Sequence, residues 1–486
     1  MTPVVFEGCF GWLHPAAGRR GVVLCSAHGN EELSVHRTWR DLAERLAAAG
    51  LPTLRFDYRG TGDSIGSDED PNQVRGWLDS VHAAVHHLRA ATGVEEVALV
   101  GLRLGATLAA VAAAEMGGVA RLILLAPCIT GRAYAHELKA MAYLAGTPQP
   151  HPDAVVESAG YLLTSDTLAG LRGLDLMALP HSPAPRVLLL ERTDVHDGAR
   201  LTVRLRELGA AVEVEPFGTF AHLMNSVQRA AAPQEPLDAV TNWLRPDEPE
   251  PATPPLPAGP ARLELPGAVE TAVLFGPEQA LFGMLCEPKT TTPGSGRPAV
   301  LLLNSGATHH VGSGGMSVYL ARRLAAHGFA SFRMDITGIG DSGSHADRRD
   351  NLLYCRDACA DTRAALDWLA ARGLGRCVAV GLCAGATLAL HTTLEDERVV
   401  GQVLVNPGRF FLGHGETSEA VTQSAVKRTG DYVRMLTDGR IWRAVLRKGP
   451  KVARIAQALA ARGLHAMRIE AGRVRAALGG GIRPAT

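Results

Sequence analysis

Gly101-Leu102-Arg103-Leu104-Gly105 and Gly381-Leu382-Cys383-Ala384-Gly385 decide how this chain is read. Each follows an apolar, strand-like run, EEVALVG or RCVAVG, and each opens a helix-like run, ATLAA or ATLAL. Two glycines around a central residue suit a tight strand-to-helix turn where backbones approach closely. Such a turn lifts its central side chain over the start of the helix, beside N–H groups that have no helical partner. A guanidinium stays protonated at any working pH, so Arg103 cannot be a nucleophile. A cysteine thiolate at a helix N-terminus is both stabilised and reactive, so Cys383 can.

Outward from these turns the chain repeats itself. Acidic turns, DYRGTGDS from Asp57 and DITGIGDS from Asp335, lie 278 positions apart (335 − 57), and Arg103 and Cys383 lie 280 apart (383 − 103). Near-equal offsets imply duplication of one fold. Apolar runs such as GVVLC, ARLILLA, RVLLLE and AVLLLN alternate with amphipathic stretches such as TWRDLAERLAAAG and YLARRLAAHG. That alternation predicts an α/β architecture with mostly parallel sheets covered on both faces. The run RPDEPEPATPPLPAGPAR denies helix and ladder bonds, so a Pro-rich linker is expected at 246–262, between domains 1–245 and 263–486. The first copy shows strands RVLLLERTD and AVEVEPFG after ARLILLAPC; nothing equivalent follows VVGQVLVNPG, so the second sheet is expected to lack its last strands.

Length and composition narrow the class. The 486 residues are 46% hydrophobic and carry 49 basic against 49 acidic side chains, which fits globular domains and gives no reason to expect a nucleic-acid partner. The start MTPVVFEGCFGWLHP lacks the basic and apolar regions of a signal peptide, and no run reaches about 18 apolar residues. A cytoplasmic protein without a membrane span is expected. The eight cysteines show no paired C-x-x-C spacing, and Cys355 and Cys359, four apart, lack nearby histidines, so neither a metal nor a cofactor is expected.

The acidic turns together with GLRLGATLAA and GLCAGATLAL resemble the α/β-hydrolase superfamily, in its serine-aminopeptidase-like branch. The chain is also similar to hydrolase-like proteins associated with bacterial exosortase systems and to tandem hydrolases found among bacterial biosynthetic enzymes. The resemblance implies a triad running nucleophile, acid, histidine. It places Arg103 at the nucleophile position of the first copy, Asp194 (with Asp197 as fallback) at the acid and His222 at the base. In the second copy it places Cys383 at the nucleophile, with Ala384 and Ser305 as oxyanion-hole residues in the loop-and-helix frame that includes Asn304 to Gly312; no acid or histidine matches.

Two functions follow as expectations. In one, Cys383 attacks an ester or thioester of a small, partly apolar acyl substrate, free or carrier-bound, with His309, His310 or His345 as the activating base and His222 of the other copy less suited. In the other, the chain is an inactive pseudo-hydrolase that binds a ligand or serves as a scaffold. There Arg103 recognises an anion or pairs internally with Asp194, and His28 lines the first cleft or bonds its own loop. Asp57 and Asp335 are expected to cap their turns. An incomplete second sheet is expected to be covered by C-terminal helices, a second copy of the chain or another partner.

Overall fold

The computed structural model describes residues 1–144, 154–194, 198–224, 232–245, 261–290, 296–344, 347, 349–409, 412–416 and 420. Residues 1–417 form one compact unit built on two large sheets. Most of the linker at 246–262, the expected C-terminal helices, His345 and Asp197 lie outside the described residues.

The first sheet contains β1 (Thr2–Phe6), β2 (Cys9–His14), β3 (Arg20–Cys25), β4 (Thr53–Phe56), β5 (Glu96–Leu102) and β6 (Arg121–Leu125). A small hairpin of β7 (Ala154–Ser158) and β8 (Tyr161–Thr164) stands apart, and β9 (Arg186–Arg192) and β10 (Ala211–Phe217) complete the sheet. Its order is β1-β2-β4-β3-β5-β6-β9-β10, parallel from β4 onward and antiparallel at β1 and β2. The central strands are continuous apolar runs because both faces are covered. Helices Gln73–Thr92 and Leu104–Met116 pack on one face, while Asn30–Ala48 and Gln234–Leu244 pack on the other. The opening segment is a hairpin: Glu7 (φ 45°) and Gly8 (φ 80°) form a two-residue turn with both residues at positive φ, the geometry that matches strand twist.

The second sheet holds β11 (Arg262–Leu265), β12 (Ala268–Phe275), β13 (Leu281–Pro288), β14 (Ala299–Leu302) and β15 (Ser331–Asp335). It is followed in sequence by β16 (Leu353–Cys355), β17 (Cys377–Leu382), β18 (Val399–Val405) and β19 (His414–Glu416). The sheet order is β11-β12-β13-β15-β14-β17-β18, and β16 pairs only with β19. From β12 to β18 this repeats the first sheet from β1 to β6. Among the described residues no counterpart of β9 or β10 follows, as the sequence implies. The last strand leaves Val400, Val403 and Val405 between 45% and 46% exposed.

The sheets meet through their antiparallel ends. Trp12 lies edge-on to Phe282 with ring centroids 4.7 Å apart, and Phe10, Met284 and Ala272 close the same apolar cluster. Burying each large side chain there contributes about 1.5–3 kcal/mol. The acidic turns complete the junction in matching ways. Phe10 N–H donates to Ser64 Oγ at 2.9 Å, and Phe282 N–H donates to Ser342 Oγ at 2.9 Å.

Candidate functional site

Both pentapeptides form strand–turn–helix units. Arg103 sits at φ 55°, ψ −121° between β5 and helix Leu104–Met116, and Cys383 at φ 56°, ψ −113° between β17 and helix Ala384–Glu395. A positive φ at a non-glycine residue costs on the order of 1–3 kcal/mol and is held only by its surroundings. The flanking glycines supply the room. A Cβ on Gly105 would collide with the backbone oxygens of Ser26 and Cys25, and one on Gly385 with that of Asn304.

At the first turn Arg103 is 4% exposed. Its Nε donates to Glu31 Oε1 at 2.8 Å and its Nη2 to Glu137 Oε2 at 2.6 Å. Tyr134 and Phe220 each lie 5.7 Å from the guanidinium carbon, ring centroid to Cζ. The anion beside Arg103 is therefore not Asp194. That exposed carboxylate is held by Arg192 at 2.8 and 3.0 Å, just beyond the end of β9. His222, in the short helix Phe220–Met224, is exposed, and among the described residues no hydrogen bond joins it to Asp194 or Arg103. The acid and base positions of the first copy do not assemble a catalytic relay.

A cavity of about 620 Å³ opens beside Arg103, within the usual range for a small-molecule site. Cys128, Ile129, Met177 and Leu189 give it apolar walls, and Glu137, Arg192 and Arg200 charged ones. Tyr134 also lines it; its hydroxyl is buried without a hydrogen-bond partner among the described residues, as is Glu31 Oε2. His28 lies instead against Trp77, centroids 4.5 Å apart, and burial holds its pKa down to about 4. It lines a separate small pocket rather than this cavity.

At the second turn Cys383 is partly exposed, and its Sγ lies 3.7 Å from the Tyr354 hydroxyl. Burial first, and then the hydrogen bond to Cys383, raise the Tyr354 pKa to about 12. Arg409 stacks over the Tyr354 ring, with its Cζ 5.3 Å from the centroid. Ala384 opens the helix and Ser305 lies in the loop beside it, where its carbonyl accepts from Thr308 N–H. The pocket lined by Ala384, Gly385 and Tyr354 holds only about 20 Å³, room for about one water.

Of the histidines expected to activate Cys383, the two that are described, His309 and His310, have their contacts elsewhere. His310 is buried with Nε2 2.6 Å from Asp63 Oδ2 and Nδ1 2.8 Å from Asp335 Oδ2. Burial opposes its charge, but these two carboxylates outweigh it and raise its pKa well above the ordinary value. His309 stacks on His36 of the first sheet's helix Asn30–Ala48, centroids 3.9 Å apart. Asp57 and Asp335 cap their own turns, accepting from the N–H of Asp63 and Asp341.

Sequence reasoning missed the residues that join the two sheets: Arg55, Asp63, Glu270, Arg333 and Asp341. Arg333 Nη2 meets Asp63 Oδ1 at 2.9 Å and Glu270 Oε1 at 3.0 Å. The usable signal was the repeat offset, since Arg55 and Arg333, like Asp63 and Asp341, are 278 positions apart (333 − 55; 341 − 63).

The family model for serine aminopeptidase, S33, matches residues 18–167 and 296–433, more than half of the chain, and the chain belongs to that family. Among solved structures it is similar to Est1E from Butyrivibrio proteoclasticus with ferulic acid bound. The identity is 18%, covering 50% of this chain and 98% of that one, with a TM-score of 0.39. It is similar to DcsB in complex with its substrate analogue at 16% identity, covering 50% and 98%, with a TM-score of 0.38. The Pyrococcus furiosus esterase Pf2001 matches at 16% identity over 50% and 88%, with a TM-score of 0.36. No curated protein matches the chain. Among the described residues no helix is long and apolar enough to cross a membrane.

Proposed function

We propose that the chain is a hydrolase-fold binding protein whose first cleft holds a small ligand without cleaving it. One observation carries this reading: the nucleophile position holds Arg103, fixed by Glu31 and Glu137 at the edge of a cavity of about 620 Å³. A cleft of that size with a cation in place of a nucleophile can orient a substrate-like molecule but has no group to attack it. Walls of both polarities fit a molecule with an apolar body and a polar head. The buried, unpartnered Tyr134 hydroxyl supplies a donor for that head.

A second reading is favoured by Cys383, the one cysteine of eight that is not buried. Here the thiol sulfur takes an acyl group from an ester or thioester as its acyl C–O or C–S bond breaks, the alcohol or thiol leaves with the proton, and the Ala384 N–H and the Ser305 loop receive the oxyanion. Tyr354 would then accompany the thiol in place of a histidine.

Thermal-shift binding and intact-mass measurements on a panel of small acyl esters, acyl thioesters and their carboxylic acids separate the two. Binding without turnover or adduct, abolished when Met177→Trp fills the cavity, supports the first reading. An acyl adduct that disappears in Cys383→Ala supports the second. Turnover that survives Cys383→Ala would overturn both.

A further inference from the structure

The insertion between β6 and β9 walls the cavity beside Arg103. Its helix Gly131–Leu144 supplies Ala133, Tyr134 and Glu137 to the lining and packs on β7. Tyr134, Ala135, Val156, Leu163 and Leu168 belong to one buried cluster. That helix, the β7–β8 hairpin and the helix Ser165–Arg172 behind it therefore form one packed piece.

The hairpin is tied to the first copy along one side. Leu162 N–H donates to Asp68 Oδ2 at 2.8 Å, and the Tyr161 ring lies 3.7 Å from the position of a Cβ on Gly29. Its tip reaches the second copy as well. There Gly160 (φ 90°) lies backbone to backbone against Gly314 (φ 61°), in the loop between β14 and helix Met316–Ala326. A Cβ on Gly314 would stand 2.8 Å from Gly160 O and 3.1 Å from its carbonyl carbon. The close approach and the positive φ both call for glycine at these two positions. Gly314 N–H also faces the Tyr161 hydroxyl, where it works against the rise in pKa that burial gives the phenol. Val311 of the same loop lines one small pocket with Tyr161 and His28.

We propose that the second copy latches this insertion over the first cleft, with Gly314 and Val311 as the catch, so that access to the cavity depends on loop 304–315. The same loop begins at the Cys383 turn, where a Cβ on Gly385 would stand 2.5 Å from Asn304 O. One segment thus frames the second turn at its start and holds the insertion of the first copy at its end. The use of the latch rests on the cavity being a ligand site; the contact that makes it does not.

The test uses the full chain without ligand. Gly314→Ala drives a Cβ into the Gly160 backbone, whereas Gly315→Ala carries the same left-handed strain (φ 68°) into open space, with nothing within 4 Å. Hydrogen exchange of amides 131–144 and 154–164 should quicken about tenfold in Gly314→Ala and stay native in Gly315→Ala. Cys128, 6% exposed in the cavity wall, should become a second site of iodoacetamide labelling in Gly314→Ala alone. Tyr161→Phe removes one oxygen atom and should quicken hairpin exchange in the same direction, so the latch stays testable if Gly314→Ala does not fold. Equal exchange in Gly314→Ala and Gly315→Ala overturns the latch, as does native exchange in Tyr161→Phe. Neither result touches the ligand reading, which is decided by binding of the acyl panel and its loss in Met177→Trp.

Discussion

Arg55 Nη2 lies 2.5 Å from Asp341 Oδ1, and both side chains are buried although they belong to different sheets. The relationship is reciprocal: Arg333, the repeat equivalent of Arg55, meets Asp63, the equivalent of Asp341, at 2.9 Å. Each acidic turn caps itself with its first aspartate and crosses the junction with its second. What reads as one motif thus does two jobs, and the second exists only because two copies face each other.

Breaking one arm strands a buried guanidinium. Asp341→Ala leaves Arg55 without its carboxylate partner and also removes the acceptor of Trp12 Nε1–H at 3.1 Å. Losing one member of a buried ion pair costs about 3–5 kcal/mol. The expected outcome is a fall of that size in unfolding free energy by urea titration. Arg55→Met combined with Asp341→Ala should cost less than the two single changes together. Strict additivity would show that the pair is not coupled.

Acid sensitivity follows from the same junction. Arg55 Nε donates to His14 Nε2 at 3.2 Å, so that nitrogen must keep its lone pair. Burial first, and Arg55 second, lower the His14 pKa from 6.5 to about 2. Between those values the unfolded chain binds a proton that the folded chain does not, so stability rises with pH across that window. His14's contribution is full above about pH 6.5 and is lost as pH falls toward 2. Asp63 and Asp341, whose pKa values are held below the carboxylate range, add a loss of the same sign below about pH 4. His14→Gln should flatten the stability-versus-pH curve between about pH 6.5 and 4. An unchanged slope there would remove His14 from the account.

Restoring a serine to the first turn should not restore hydrolysis. Arg103→Ser supplies a hydroxyl, but Asp194 remains on the surface with Arg192, and His222 remains exposed. A hydroxyl without a base gains little nucleophilicity. The change also strands Glu31, whose side chain is 17% exposed, so a loss of stability should accompany it. Initial rates on short nitrophenyl esters should stay at the native level. A Ser-dependent rise, removed by His222→Ala, would mean that the triad assembles in solution.

How far the sequence carries can be traced through particular residues. A mostly parallel sheet covered on both faces was legible because β3, β5, β6 and β9 are built around apolar runs, whereas the order of the strands across the sheet was not. The turn at Arg103 was legible because its glycines have no space for a Cβ. Arg103's partners were not: Glu31 and Glu137 are 72 and 34 positions away, and both lie in helices whose acidic residues look solvated in sequence. His309, His310 and His345 stand as alternative bases in the sequence because histidines beside a small-residue loop suggest chemistry, and nothing local shows that His310 is held by Asp335 and Asp63. One of those partners, Asp63, lies 247 positions away from His310, across a contact that no local pattern encodes.

The thiols give the sharpest test of the second turn. Seven of the eight cysteines are buried, and burial raises the pKa of Cys9 to about 11 and of Cys25 and Cys128 to about 12. A thiol that is both buried and protonated reacts slowly, since the thiolate is the nucleophile and must be reached. Cys383 stands apart on exposure and on its position at the start of a helix. Brief treatment of the native chain with iodoacetamide should therefore add one carbamidomethyl group, mapped to Cys383 by peptide mass spectrometry. In denaturant all eight should react. Tyr354→Phe, which removes the hydroxyl 3.7 Å from the sulfur, should alter the rate of that single reaction without adding a second site. If Cys383→Ala is labelled as fast as the native chain, another cysteine is the accessible one, and the acyl-transfer reading loses its nucleophile.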